Sequence, residues 1–281
     1  MLVAALPADA PPIEAHEPHF SERRDLVVGL PGERFGAIVT AGLSLYSAGD
    51  AAKPVWTRAL PEGARQLAAD DVGRLYVLAG ARVLRFESRD GAALDPVDLA
   101  AVGARLAVDG AGKRVGVLHV RENQVRTFDV ESDAELALVD GPDSTHRLAG
   151  LVFAPRGLVW VGIHGLEGAA QVPLGPVSAV SVLLRDGERF VVGDWEGGRL
   201  LWLDDAGRTT RTVGPYPGRL FAAAVDANRA ALVSVTPGET RLRVSAASWT
   251  LEAPPDGVAL SGVFVAVVVR GAILVWPITP G

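Results

Sequence analysis

The sequence predicts an all-β protein built from seven copies of one unit, and three observations carry that expectation. A turn on Gly or Asn recurs at Gly32, Gly73, Gly112, Gly157, Gly187, Asn228 and Gly262, at intervals from 30 residues (Gly157 to Gly187) to 45 (Gly112 to Gly157). An apolar strand and a tight polar reversal follow each turn. A further strand then closes on a bulky apolar residue: Tyr46, Phe86, Phe128, Leu174, Trp202, Val244 and Trp276, each 13 to 17 residues after its turn. Several short strands repeating at about 40 residues are the signature of a propeller blade. The expected architecture is therefore a seven-bladed β-propeller. The short interval from Gly157 to Gly187 keeps six blades with one irregular unit as the alternative.

The units are read in order after an N-terminal arm, residues 1–24. Gly73 leads to a strand at 75–79, Gly80 reverses, and residues 82–86 return; Gly112 leads to 115–120, reversed by Arg121, Glu122 and Asn123 into 125–128. The clearest copy spans 178–210. There Arg185, Asp186 and Gly187 turn one apolar run into 189–192, and the polar reversal 194–198 precedes 199–203. Asp-Gly pairs between apolar runs favour a tight reversal, because Gly accepts a positive φ. Unbroken apolar runs suit strands covered on both faces, as blades cover one another. The last copy stops after its third strand. An open sheet edge invites unwanted pairing, so residues 2–6 or 12–20 are expected to supply the missing strand and close the ring. The chain is thus read as an arm and closing strand (1–24) followed by one propeller domain (25–281).

Composition bounds the function. Hydrophobic residues make up 49% and charged residues 21%, enough for a core and unlike a disordered chain. A net charge of −6 gives no broad positive field for phosphate, so nucleic acid is not an expected partner. With no cysteine there is no disulfide, thiolate ligand or thiol nucleophile. Residues 1–6 lack the charged start of a secretory leader, and the longest apolar run, 258–269, falls short of the roughly 20 residues of a membrane helix. A cytoplasmic protein without membrane contact is the expectation.

Residues 190–202 (Phe-Val-Val-Gly-Asp-Trp-Glu-Gly-Gly-Arg-Leu-Leu-Trp) and 112–118 (Gly-Lys-Arg-Val-Gly-Val-Leu) resemble degenerate WD40-like repeats. The Gly-His opening of such repeats is missing, and their closing Trp-Asp survives only as Phe128-Asp129, with echoes at Trp202-Leu203 and Trp276-Pro277. The resemblance is to divergent bacterial WD40-like propellers. Such propellers also occur beside MoxR-type ATPases and von Willebrand A proteins, which would imply a place in a multiprotein complex.

Candidate chemistry is sparse. Asp70, Asp109 and Asp226 recur at one repeat position. They would serve as metal ligands if the chain resembled calcium-dependent propeller lactonases. Each also precedes a Gly or Asn turn, where a short carboxylate caps backbone N–H groups, and that structural reading is favoured. Asp194 and Glu196 flank Trp195 in one reversal, and residues two apart share a strand side, so an acid–base or cation-binding pair is conceivable there. Trp195 is read as the most exposed of the six tryptophans, whereas Trp160, Trp202 and Trp276 sit on strands as core. His16, His19, His119, His146 and His164 show no metal-ligand spacing. Nucleophile-elbow, phosphate-loop and dinucleotide motifs are not found.

Propeller function lives in loops held by a rigid ring. The hairpins between second and third strands and the links between blades carry Arg121, Glu122, His164, Asp194, Trp195, Glu196, Tyr216, Arg219, Glu239 and Arg270. Mixed charge with aromatics suits a protein-binding rim. The reading is a non-catalytic interaction scaffold that needs no metal or other cofactor, its partner another protein of the same complex. A divalent-cation-dependent propeller hydrolase or lactonase is the alternative.

Overall fold

The computed structural model describes residues 25–278, except 41, 120, 142–149, 163–164, 175–176, 178 and 227–228. The strands form seven antiparallel sheets, and no helix occurs among the described residues. Blade one comprises β1 (Val27–Leu30), β2 (Arg34–Val39), β3 (Gly42–Ser47) and β4 (Trp56–Arg58). Blade two is β5 (Ala64–Ala69), β6 (Leu75–Ala79), β7 (Arg82–Phe86) and β8 (Ala93–Asp98). Blade three is β9 (Arg105–Val108), β10 (Arg114–His119), β11 (Gln124–Asp129) and β12 (Glu135–Asp140). Blade four is β13 (Leu151–Ala154), β14 (Gly157–Val161), β15 (Gly165–Gly168) and β16 (Val172–Pro173). Blade five is β17 (Val180–Asp186), β18 (Arg189–Asp194), β19 (Arg199–Leu203) and β20 (Thr209–Val213). Blade six is β21 (Arg219–Asp226), β22 (Arg229–Thr236), β23 (Glu239–Val244) and β24 (Ala247–Leu251). Blade seven is β25 (Gly257–Ser261), β26 (Phe264–Val269) and β27 (Ala272–Pro277).

Within each blade the strands are hydrogen-bonded in chain order. The first strands touch in succession, β1 to β5, β5 to β9, β9 to β13, β13 to β17, β17 to β21 and β21 to β25, and β25 returns to β1. The sheets therefore stand in a ring: a seven-bladed β-propeller. The six recurring glycines fall between the first two strands of a blade or, for Gly157, at the start of the second, and Asn228 lies outside the described residues. Six of the seven closing residues lie on third strands. Leu174 is the exception. It follows β16, because the third strand of blade four is only Gly165–Gly168 and the fourth only two residues. That truncation accounts for the 30-residue interval, and it leaves seven sheets rather than six. The closing strand assigned to residues 2–6 or 12–20 lies outside the described residues.

Apolar burial follows the layers. β6 and the last five residues of β26 are buried, since their sheets are covered by a neighbour on each side. Blades one and seven share side chains through Val27, Ala259, Ala266 and Val268, and blades five and six through Val182, Trp202, Leu220 and Leu232.

Asp70 and Asp109 cap turns and also bind a following arginine. Asp70 Oδ1 accepts from the N–H groups of Val72 (3.1 Å) and Arg74 (2.9 Å), and Oδ2 accepts from Arg74 Nε (2.6 Å) and Tyr76 Oη (3.1 Å). Asp109 takes Lys113 N–H (2.7 Å), Arg114 N–H (3.2 Å) and Arg114 Nε (3.0 Å). Asp204 repeats the pattern with Ala206, Arg208 N–H and Arg208 Nε, and Asp226 pairs with Arg229 at 2.5 Å. The knot at Asp70 extends to the next blade: Arg74 donates to Ala111 O (2.9 Å) and Tyr76 to Gly112 O (3.2 Å).

Burial, and next the Asp70 carboxylate, push the Tyr76 phenol up to about 12. The folded protein then keeps a proton that the unfolded chain releases near pH 10. Stability from this group is complete below pH 10 and falls as pH rises through 10 to 12, by about 2–3 kcal/mol in total. Urea denaturation of the Tyr76→Phe variant should lack this alkaline slope, while costing about 1 kcal/mol at pH 7 through the lost hydrogen bonds.

Candidate interaction face

Antiparallel order within every blade puts second-to-third-strand hairpins and inter-blade links on one face of the ring. The first turns and third-to-fourth-strand loops lie on the other. All the described residues predicted for the rim belong to the first of these faces. Arg121 and Glu122 are exposed in the β10–β11 hairpin, where Asn123 adopts a φ of 51°. Arg270, exposed with a φ of 50°, forms the β26–β27 turn. His164 lies outside the described residues.

The remaining predicted residues gather where blades five and six meet. Asp194, at the end of β18, is buried; it accepts from the Gly197 N–H (3.1 Å) and from Arg199 Nε (2.9 Å), closing its own hairpin. Glu196 is exposed and forms an ion pair with Arg219 at 3.6 Å. The two carboxylates thus serve different cations, and the acid–base or shared-cation pair that their spacing allowed is not formed. Tyr216 donates its N–H to Gly198 O (3.0 Å) from the link before β21, and the Arg243 guanidinium lies 5.0 Å from its ring centre. Glu239 opens β23 and accepts from Arg241 at 2.5 Å, which holds its carboxyl below the usual range. Arg243 also donates to Ser234 Oγ. Burial, and then repulsion from Arg241, lower its pKa from the usual arginine value.

Trp195 corrects the expectation of an exposed anchor. It is 7% exposed and packs into the junction core beside Phe221, their ring centres 6.5 Å apart, with the Arg219 guanidinium 5.8 Å above it. Its backbone is also engaged, donating to Ala179 O (2.9 Å) and accepting from Leu220 N–H (3.0 Å). The hairpin Asp-Trp-Glu-Gly-Gly reads as polar and open because the sequence does not display the next blade. In the ring that blade supplies an apolar wall.

Trp160 and Trp202 are core residues as expected, while Trp276 is half-buried and stacks on Trp249 at 5.5 Å. His119 is fully buried at the end of β10; burial, then the nearby Arg126, lower its pKa below the usual histidine value. Sequence reading missed Arg199, Arg241 and Arg243. For Arg199 the available signal was the Asp-to-Arg spacing of four or five residues seen from Asp70 to Arg74, Asp109 to Arg114 and Asp194 to Arg199; nothing in the sequence pointed to Arg241 or Arg243.

A channel of about 880 Å³ runs through the ring, walled by the first strands of the blades. At one mouth Arg114 is tied to Asp109 and lies 5.2 Å over Phe153, and Arg185 donates to Phe153 O (2.7 Å) and Gly187 O (2.6 Å). Among the described residues no group of three or more His, Asp or Glu side chains is placed to hold a metal ion. Asp70 and Asp109 are spent on their own turns, so the hydrolase alternative gains no ligand set from them. What the face offers is hydrogen bonding, ion pairing and aromatic stacking from a rigid frame.

No family model matches the chain, and no curated protein sequence matches it. Solved structures do. A chain of the mitotic checkpoint complex aligns with a TM-score of 0.70 at 13% identity, covering 99% of each chain. Hydrazine synthase of Kuenenia stuttgartiensis aligns at 0.65 and 11% identity, over 92% of this chain and 97% of that one. Virginiamycin B lyase of Staphylococcus aureus aligns at 0.62 and 10% identity, over 91% and 95%. The likeness is one of fold. Its neighbours include a member of a protein complex and two proteins named as enzymes, so the propeller alone does not decide between binding and catalysis.

Proposed function

We propose that this propeller is a non-catalytic protein-interaction scaffold, a subunit of a larger assembly that binds its partner through the hairpin-and-link face. The observation that supports this reading most is the junction of blades five and six. There Glu196, Arg219, Tyr216, Arg243, Arg241 and Glu239 set alternating charge and one aromatic ring on a frame fixed by buried Trp195 and Asp194. Buried anchoring below a charged, partly exposed layer is the build of a recognition surface. The likeness to a chain of the mitotic checkpoint complex adds a precedent of the same fold. A bacterial setting beside MoxR and von Willebrand A proteins rests on the sequence resemblance alone, and a cytoplasmic one on the composition alone.

The test is affinity capture from the source organism with tagged wild-type protein and with the Arg219→Glu, Arg241→Glu double variant. Exposed ion pairs contribute about 0–1 kcal/mol each, so the variant should fold normally. A partner recovered in stoichiometric amount with wild type, and reduced at least tenfold with the variant, is the expected result. Equal recovery would move the binding site off this junction. Absence of any partner would send the question to the channel and to hydrolase assays.

A further inference from the structure

Among the described blades with a fourth strand, that strand turns its free edge outward, and all but one of these edges are guarded. β4 has three residues and β16 two. β8 carries Pro96, β16 Pro173, and β20 a central Arg211. β24 has Ser248 and Thr250 and shields three of its five residues. Short length, proline and charge are the devices that keep an edge from pairing. β12 is six residues long and has neither a proline nor a charge in its interior. It reads Glu-Leu-Ala-Leu-Val-Asp, all six residues are exposed, and Leu136, Leu138 and Val139 are 52%, 48% and 43% accessible.

Blades two and three make the contrast exact in register. Val97 pairs with Val83 as Val139 pairs with Val125, and the Leu99 N–H donates to Ala81 O as the Gly141 N–H donates to Asn123 O. Pro96 therefore occupies the position of Leu138. Val97 is fully buried against Val115, Val117 and Phe128 of blade three. Val139 is 43% exposed, and the third and fourth strands of the next blade, blade four, are only four and two residues long. Since Gly141 and Val139 turn their N–H groups to β11, Leu138 and Asp140 direct theirs outward.

We propose that β12 is a second docking edge, which pairs with an extended segment of a partner polypeptide that has an apolar centre and Lys or Arg at its ends. The charge frame selects this occupant. Glu131, Asp133, Glu135 and Asp140 surround the apolar stretch and are exposed, and among them Glu135 alone meets a cation, Arg126 at 3.0 Å. A second copy paired antiparallel about Leu138 would set Asp140 opposite Leu136 at both ends, which leaves each terminal carboxylate against an apolar side chain instead of a cation. Strand addition draws affinity from the backbone edge and selectivity from alternate side chains and flanking charge. This site lies on the circumference of the ring, apart from the hairpin-and-link face, and does not depend on the reading of that face.

The probe is a fluorescein-labelled, amidated peptide, Lys-Arg-Thr-Val-Ile-Val-Thr-Lys-Arg, titrated by anisotropy against the full chain, beside a version with Glu at the four basic positions. Saturable binding that is at least tenfold tighter for the basic peptide is expected, and a tenfold or greater loss in Leu138→Pro, which removes only an outward N–H, and in Leu138→Lys. Both variants should melt within a few degrees of wild type. Lack of saturable binding, equal binding by wild type and Leu138→Lys, or indifference to the peptide's flanking charge each overturns the proposal. So does dimerisation of wild type that Leu138→Lys abolishes, which assigns the edge to a second copy. A large drop in melting temperature for Leu138→Lys would show that the chain itself covers the strand, and would overturn it too.

Discussion

Replacing Asp70 by Ala is expected to lower the stability of the propeller by about 3 kcal/mol, at the lower end of what breaking a buried, hydrogen-bonded ion pair costs. The side chain is wholly inaccessible and accepts four hydrogen bonds; its removal strands two backbone N–H groups and leaves the Tyr76 hydroxyl and the Arg74 guanidinium only their bonds to Gly112 O and Ala111 O. Arg74 is 27% exposed and recovers some water, which keeps the loss from the top of the range. Asp70→Asn retains an acceptor for the turn but not the charge, and should fall about midway. Asp109→Ala should cost less, because Arg114 at 39% is the more solvated partner. Urea unfolding with an unchanged m-value would measure these differences. A loss below 1 kcal/mol for Asp70→Ala would mean that the turn holds without its cap.

The second large effect belongs to Gly29. A Cβ there would sit 1.9 Å from the carbonyl oxygen of Leu260 and 2.9 Å from its carbon, and this is the backbone of the innermost strand of blade seven. No side-chain rotation relieves such a clash; blades one and seven must part. Gly29→Ala is expected to cost about 3 kcal/mol, the upper end for overpacking, with the melting temperature falling accordingly. Gly49→Ala is the matched control. Nothing lies within 4 Å of the Cβ it would add and its φ is not positive, so the change should stay within about 0.5 kcal/mol. Equal behaviour of the two variants would show that the ring closes less tightly than its backbone indicates.

The architecture was legible because its signal is repeated. Each turn from Gly32 to Gly262 is a weak local cue, but seven in phase define the blade. The capping role of Asp70 and Asp109 was legible for a similar reason, since both stand the same short distance before a turn. What failed was whatever depends on the neighbouring blade. Trp195 sits in a polar hairpin, and nothing local announces that Phe221 and Arg219 close over it. Leu174 matched the spacing of a third-strand residue only because blade four had lost length in its third and fourth strands. Arg243 reaches Tyr216 across the junction from another blade, a pairing that no spacing within one repeat encodes.

Closure of the ring ties together parts of the chain made far apart in time. Ser261 Oγ donates to Leu30 O, a contact spanning 231 residues, and Leu26 N–H donates to Asp256 O. At synthesis rates of about 5–20 residues per second, the first blade waits roughly 10–50 s for the neighbour that shelters its inner strand. During that wait Val27, Leu30 and Ala37, buried in the finished ring, face the cell without their permanent cover. The blade that leaves the ribosome first is among the last to be sealed. Nascent chains should thus be most prone to aggregate or to recruit chaperones in the interval before β25 emerges, and long-range closure of this kind makes slow folding the natural consequence.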